Sequence, residues 1–153
     1  MRPLTKGLLA GAAGTVALNL VAYGDMLLRG RPSSDMPAQV ADRIADRVGV
    51  GLGDDGDSGA GEAREEAAGA LLGYVTGLGV GAAYGLLRGG DGSFPAVAAG
   101  PLIGAAAMAG SDVPATVLGV TDPTSWELTS WLSDIAPHLA YGLTTACVYQ
   151  ALP

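Results

Sequence analysis

The chain has 153 residues, enough for one domain, and 49% of them are hydrophobic although only 5% are aromatic. Its formal net charge of −7 argues against nucleic acid as a partner, because phosphate binding needs a surplus of lysine and arginine. The single cysteine, Cys147, excludes an intrachain disulfide and a multi-cysteine metal site.

Four long stretches of the chain carry no Asp, Glu, Lys or Arg. They cover 7–24, 67–87, 92–111 and 135–153, the last with one histidine. Apolar runs of about 18 residues or more are long enough to cross the hydrocarbon core of a bilayer, where only helices or closed barrels satisfy the backbone. The sequence therefore predicts an all-α, single-domain membrane protein, an antiparallel four-helix bundle. Its spanning helices are expected at about 7–28, 67–88, 95–119 and 132–152.

Two other interpretations fit the pattern less well. Arg2 and Lys6 before an apolar run are typical of a secretory signal peptide, but no small-residue cleavage site follows and Asn19 interrupts the run. A soluble alanine-rich bundle would carry charges along one face of each helix. Because whole predicted helices here carry none, a membrane protein is favoured.

The first connection, 29–66, is the longest between the predicted spans. A short amphipathic helix is predicted at 35–48, with Gly49 suited to its end. Its apolar stripe is formed by Met36, Val40, Ile44 and Val48. This helix is expected to pack over the mouth of the bundle, to lie in the membrane interface or to dock a partner. The acidic, glycine-rich segment 51–64 after it is expected to be a flexible linker.

Glycine occupies every fourth position from 69 to 89, in "GALLGYVTGLGVGAAYGLLRG". In water this would weaken a helix, but in lipid the missing side chains let another backbone approach closely. We predict a glycine zipper that packs within the chain or against a second copy or a protein partner. Four residues turn about 400°, so early and late glycines should face different neighbours. The predicted packing residues are Gly69, Gly73, Gly77, Gly81 and Gly85.

Polar residues are expected at similar depths in all four spans. Counted from the end nearest the long connection, one polar residue of each span lies six to nine residues deep, and two aspartates lie three residues deep. The deeper set is Asn19, Tyr74, Asp112 and His138, and the shallower pair is Asp25 and Asp134. Ionisable groups at such depths are expensive in hydrocarbon, so each is a candidate functional residue.

These polar residues are expected to pair, because a carboxylate inside a membrane must be paired, hydrogen-bonded or protonated. Asp112 should pair with His138, and Asp134, one turn before His138, should orient its imidazole. Asp25 should reach Arg29, one turn later. The layer then serves either as a structural hydrogen-bond network or as a relay for a proton or small cation. No catalytic residue, metal site or cofactor is predicted, since no nucleophile motif, metal-ligand set or phosphate loop is present.

Three segments resemble those of small uncharacterised membrane proteins of actinobacteria. They read "YGDMLLRGRPSS", "SDVPATVLGVTDPTSW" and "WLSDIAPHLAYG". The resemblance extends from the first span to the fourth. It implies a multi-pass protein of the bacterial plasma membrane, and it carries over no functional residue.

The function expected from these features is structural or accessory to a partner in the lipid bilayer. The alternative is a small transporter or channel-like protein that moves a proton or cation past Asp112 and His138. A membrane enzyme acting on lipid lacks a supporting motif, so an enzyme is not favoured.

Overall fold

The computed structural model describes residues 1–53, 58–89 and 94–153. In this part of the chain a three-residue 3₁₀ helix, Pro123–Ser125, precedes the last of five α-helices. The α-helices are α1 (Pro3–Arg29), α2 (Met36–Arg47), α3 (Ser58–Arg88), α4 (Ala96–Val117) and α5 (Leu128–Ala151). The expected all-α class is confirmed.

Three helices in the described residues are long and apolar enough to cross a membrane: α1, α4, and α3 from Gly59 to Arg88. Their composition indicates a membrane protein. Helix α5 has 24 residues, but it is not among the three. Its hydropathy is lowered by serine, threonine, aspartate and histidine residues. The fourth span expected at 132–152 therefore stays a prediction.

Helix α3 begins at Ser58, nine residues before the expected start of the second span at 67. The expectation of a flexible linker over 51–64 is therefore wrong for 58–64, which are helical. The two alanines, the glutamate and the arginine of this stretch are good helix formers, so they extend the spanning helix without a break. Residues 54–57 of the expected linker, and 90–93 between the second and third spans, lie outside the described residues.

Helix α2 ends as the sequence predicts, at a glycine. Gly49 has φ of +77°, a left-handed conformation that glycine adopts without steric cost. Its N–H donates to Asp46 O at 3.1 Å, and the N–H of Val50 donates to Ala45 O at 2.9 Å. These bonds satisfy carbonyls that the helix end would leave free.

The apolar stripe of α2 is buried only in part. Val40 is 4% exposed, whereas Ile44 is 41% exposed and Val48, beyond the helix end, is 71% exposed. Helix α2 lies on α3, where Gly69 meets the backbone of Pro37 and Ala38. This close approach draws the first half of α2 towards α3, so the second half of the stripe stays uncovered.

The four long helices lie side by side and antiparallel. The most extensive contacts join α4 to α5, α1 to α5 and α1 to α3, and α3 meets α4 over a smaller area. At one end the Lys6 ammonium lies over the Tyr149 ring, and at the other Arg29 donates to Ser133. Helix α5 therefore follows α1 over nearly its whole length.

Small residues dominate the centre of the molecule and large apolar ones lie outside. Buried positions include Ala10, Ala115 and Ala146, each fully inaccessible, while Leu28 and Leu87 are 87% and 89% exposed. An exposed apolar surface of this extent is unusual for a soluble monomer and is expected where lipid covers the helices.

Candidate functional site

Three ionisable side chains meet where α4 packs on α5. Asp134 and His138 lie one turn apart on α5, which places them on one face of the helix. The His138 Nδ1 lies 2.8 Å from Asp134 O and 3.2 Å from Asp134 Oδ1. Asp112 of α4 is 9% exposed, and its carboxyl faces both Asp134 and His138. We call these three residues the acidic–histidine cluster.

One oxygen of the cluster is unsatisfied. Asp134 Oδ2 is buried and accepts no hydrogen bond from any described residue. Asp112 accepts from Ser111 Oγ at 3.2 Å. Two ionised carboxylates that face each other have no proton to share, whereas one proton between them allows a hydrogen bond. The arrangement is therefore suited to hold a proton.

Two predicted members of the polar layer do not join the cluster. Tyr74 on α3 is 50% exposed, and Asn19 on α1 is half-buried without a side-chain hydrogen bond to another described residue. Counting residues along a helix gives depth, but each residue also turns about 100° around the axis. These two side chains share the depth of the cluster without sharing its direction.

Asp25 belongs to a separate cluster at the end of α1. Its carboxylate binds Arg29 at 2.6 Å, which confirms the expected pair, and it also binds Arg31 Nε at 2.6 Å. Arg29 extends the cluster to Ser133 of α5, next in sequence to Asp134. Sequence reasoning missed Arg31, because it follows the helix. The left-handed Gly30, with φ of 64°, turns the chain back towards Asp25.

A polar cavity of about 450 Å³ opens beside both clusters. We call it the vestibule. Its walls come from the end of α1, the connection between α1 and α2, the first turns of α2 and α5, and the segment between α4 and α5. Residues on its wall include Arg29, Arg31, Asp35, Trp126, Ser133 and Asp134. Asp134 thus links the acidic–histidine cluster to a space open at one end of the molecule.

The glycine row of α3 meets two different helices. A Cβ on Gly81 would lie 2.5 Å from Gly7 O and 2.6 Å from Gly11 Cα of α1, and Gly77 and Gly85 also contact α1. Gly69, at the other end of the row from Gly85, faces α2 instead. Gly73 has no described atom near its Cβ position, so it packs against neither helix. The change of neighbour follows the drift of the row around the helix.

Two tyrosines of α5 reach across to α3, and sequence reasoning missed them. Tyr141 is 1% exposed and its hydroxyl donates to Gly77 O at 2.6 Å. The Tyr149 hydroxyl lies 3.3 Å from Gly85 O and 3.0 Å from Gly89 O. Their eight-residue spacing, which places both near one face of the helix within an otherwise small-residue sequence, is a signal that could have identified them.

Among the described residues, no group of three or more His, Cys, Asp and Glu is arranged to hold a metal ion. Comparison with protein-family models, curated proteins and solved structures gave no match.

Proposed function

We propose that the chain is a multi-pass protein of a bacterial plasma membrane in which α1, α3, α4 and α5 form a four-helix bundle. The glycine contacts between α1 and α3 act as a zipper. Its role is structural or accessory to a protein partner in the bilayer. Gly73, which lies on the outside of α3, marks a face where a partner or a second copy would meet the bundle.

The packing of α5 supports its assignment as a fourth span. Because α5 follows α1 from Ser133 beside Arg29 to Tyr149 beside Lys6, a bilayer that surrounds α1 also surrounds α5. Beyond its exposed first turn, α5 has two of the polar groups that lower its hydropathy covered by the other helices. Thr145 is fully buried and His138 is covered by α4. A helix sheltered in this way can cross a membrane with fewer apolar residues.

The observation that best supports the accessory role is the close packing on the side of the acidic–histidine cluster away from the vestibule. A Cβ on Gly14 would lie less than 3 Å from the Tyr141 ring, and Thr145 has no exposed surface. On the same side of the cluster, Gly142 lies against the backbone of Gly100 and Gly104. A carrier or channel needs a path from the cluster to the far face, and close contacts of this kind favour a static core over such a path.

A proton relay is the second candidate. The unsatisfied Asp134 Oδ2 and the opening of the cluster into the vestibule favour it. Protons entering from the vestibule would reach Asp134 first and then His138 or Asp112. A conformational change that opens the far half of the bundle would complete such a path.

Proton flux in proteoliposomes separates the two candidates. In the accessory role, wild type and His138→Gln both lack pH-driven flux, and the substitution lowers thermal stability in detergent because Asp134 loses its partner. Tyr74→Phe, at an exposed position, is the control for stability. Flux in wild type that His138→Gln and Asp112→Asn abolish without unfolding the protein would establish the relay instead.

Single-cysteine labelling in a Cys147→Ser background tests the fourth span. Single cysteines that replace Ser125 and Pro153, which flank α5, should react with a membrane-impermeant reagent from opposite sides of the membrane. Ser33, in the connection after α1, should react on the side of Ser125, and Phe94 on the side of Pro153. Labelling of Ser125 and Pro153 from one side would show that α5 does not cross the bilayer.

A further inference from the structure

One side of the vestibule wall carries two guanidinium groups that share a single carboxylate. Arg29 and Arg31 both bind the single carboxylate of Asp25, each at 2.6 Å. Two guanidinium groups on one carboxylate leave one excess positive charge, in a chain whose net charge is −7. This charge lies on the surface of a cavity and is not spread over open protein surface.

Both guanidinium groups keep hydrogen-bond donors for a ligand. Arg29 uses Nε and Nη2 for Asp25 and Ser133, and Arg31 uses Nε for Asp25 and Nη1 for Pro32 O. Nη1 of Arg29 and Nη2 of Arg31 make no hydrogen bond to a residue in the described part of the chain. Guanidinium donors in such a pair match the oxygens of a phosphate group.

The rest of the vestibule wall suits the same kind of ligand. Thr129 and Ser130 line it with exposed hydroxyl groups from the first turn of α5, and Trp126 lies at its side. Of the acidic wall residues, Asp134 is engaged with His138. Asp35 is exposed at the rim, where solvent and salt weaken its repulsion of an anion.

We propose that the vestibule binds an anionic phosphate group, held by Arg29 and Arg31 and by the hydroxyls of Thr129 and Ser130. Its volume of about 450 Å³ falls within the range of about 300–1,000 Å³ for small-molecule sites, so a phosphate ester has room to enter. The ester is either the headgroup of a membrane phospholipid or a soluble metabolite. The site does not depend on whether α5 spans the bilayer.

Titration of the purified full chain in detergent micelles tests this site. The probes are inorganic phosphate, glycerol phosphate and dihexanoyl phosphatidic acid, and binding is followed by calorimetry and by tryptophan fluorescence in a Trp131→Phe background, which leaves Trp126 as the single tryptophan. Arg31→Gln should weaken binding about tenfold, the loss typical of one charge-assisted hydrogen bond. Asp35→Asn should tighten it about two- to fivefold by removing an exposed negative charge. Arg47→Gln, an exposed arginine of α2 outside the vestibule, should leave the affinity unchanged.

The outcomes are distinct. Binding of phosphatidic acid alone identifies a lipid headgroup as the ligand, and binding of glycerol phosphate as well identifies a soluble ester. Absence of binding by all three probes overturns the proposal, as does equal affinity in wild type and Arg31→Gln. Should Arg31→Gln fail to fold, by circular dichroism, Asp35→Asn decides, because an affinity unchanged in that variant also overturns the proposal.

Discussion

Tyr141 shows how much one side chain can do in a core of small residues. It is the largest fully buried side chain together with Thr145, and its hydroxyl spans from α5 to the backbone of α3. The ring also fills the space that Gly14 leaves on α1. One residue of α5 thus contacts both α1 and α3.

Removing the Tyr141 hydroxyl should therefore weaken the fold. We expect Tyr141→Phe to lower the free energy of unfolding by about 0.5–1.5 kcal/mol, because the buried hydrogen bond to Gly77 O is lost while the ring remains. Tyr74→Phe is the matched control, since Tyr74 is 50% exposed. Denaturation by SDS in mixed micelles, followed by circular dichroism, gives both values. Equal stability of the two variants would contradict the assigned role of Tyr141.

The turn between α4 and α5 depends on another single residue, Asp122. The pKa of Asp122 is lowered by a hydrogen bond from the Thr124 hydroxyl, at 2.7 Å, and by one from the Thr124 backbone N–H, at 3.0 Å. The folded value lies below the usual 3.8, so the stabilisation is present above that pH. It is lost as the pH falls through the folded pKa.

Thr124→Ala should raise the pKa of Asp122 towards its usual value. The substitution removes the hydroxyl donor and leaves the backbone donor in place. Titration of the Asp122 carboxyl carbon by NMR measures the shift, with Thr129→Ala as the control. A pKa that is the same in wild type and Thr124→Ala would show that the hydroxyl does not bind the carboxylate.

At the scale of elements, the α1–α3 contact is made of backbone against backbone. Gly7 and Gly11 of α1 face Gly81 and Gly85 of α3, so no side chain separates the two helices there, and one turn away Gly77 meets the Thr15 side chain. Contacts of this kind rely on van der Waals attraction and weak Cα–H···O bonds, both of which need close approach. A single methyl group is therefore enough to disturb them.

Two alanine substitutions on α3 separate packing from helix propensity. Gly81→Ala should destabilise the protein by about 1–3 kcal/mol, because its Cβ would lie 2.6 Å from Gly11 Cα and force the helices apart. Gly79→Ala has no described atom within 4 Å of its Cβ and should be neutral or slightly stabilising. SDS denaturation compares them. Similar stabilities would mean that α1 and α3 do not form this seam in the bilayer.

At the scale of the whole molecule, the two tryptophans mark one end. Trp126 and Trp131 lie edge to face with their ring centres 5.0 Å apart, and Trp126 donates to Thr121 at 2.8 Å. Trp126 precedes α5 and Trp131 lies in its first turn, at the same end of the molecule as the vestibule. Tryptophan is enriched at the headgroup level of membranes, where a polar tip and an apolar ring are both accommodated.

Quenching by brominated phospholipids should therefore depend on depth. We expect tryptophan fluorescence in reconstituted vesicles to fall most with bromines near the headgroups and least with bromines near the ends of the acyl chains. A Trp126→Phe variant isolates the contribution of Trp131. Strongest quenching by the deepest bromines would place this end of the molecule inside the hydrocarbon core and refute the proposed depth of the spans.

The helical class and the three apolar helices were accessible from sequence, because long runs without charge and glycines at helix ends are local signals. The Asp25–Arg29 pair was accessible for the same reason, since residues one turn apart share a helix face. The start of α3 at Ser58 was missed because glycine and acidic residues were taken as loop signals. In that stretch the helix propensity of the other residues and the continuation of the long helix outweighed the glycines.

The sequence by itself determined the helical class and the three long apolar helices, and it indicated that polar groups within them needed partners. Only the tertiary structure decided which partners they found. Asp112 meets Asp134 and His138 whereas Asn19 and Tyr74 do not, and Arg31 returns to Asp25 through a turn. Depth along a helix can be counted from a sequence, but the direction of a side chain depends on how neighbouring helices rotate to bring their glycines into contact.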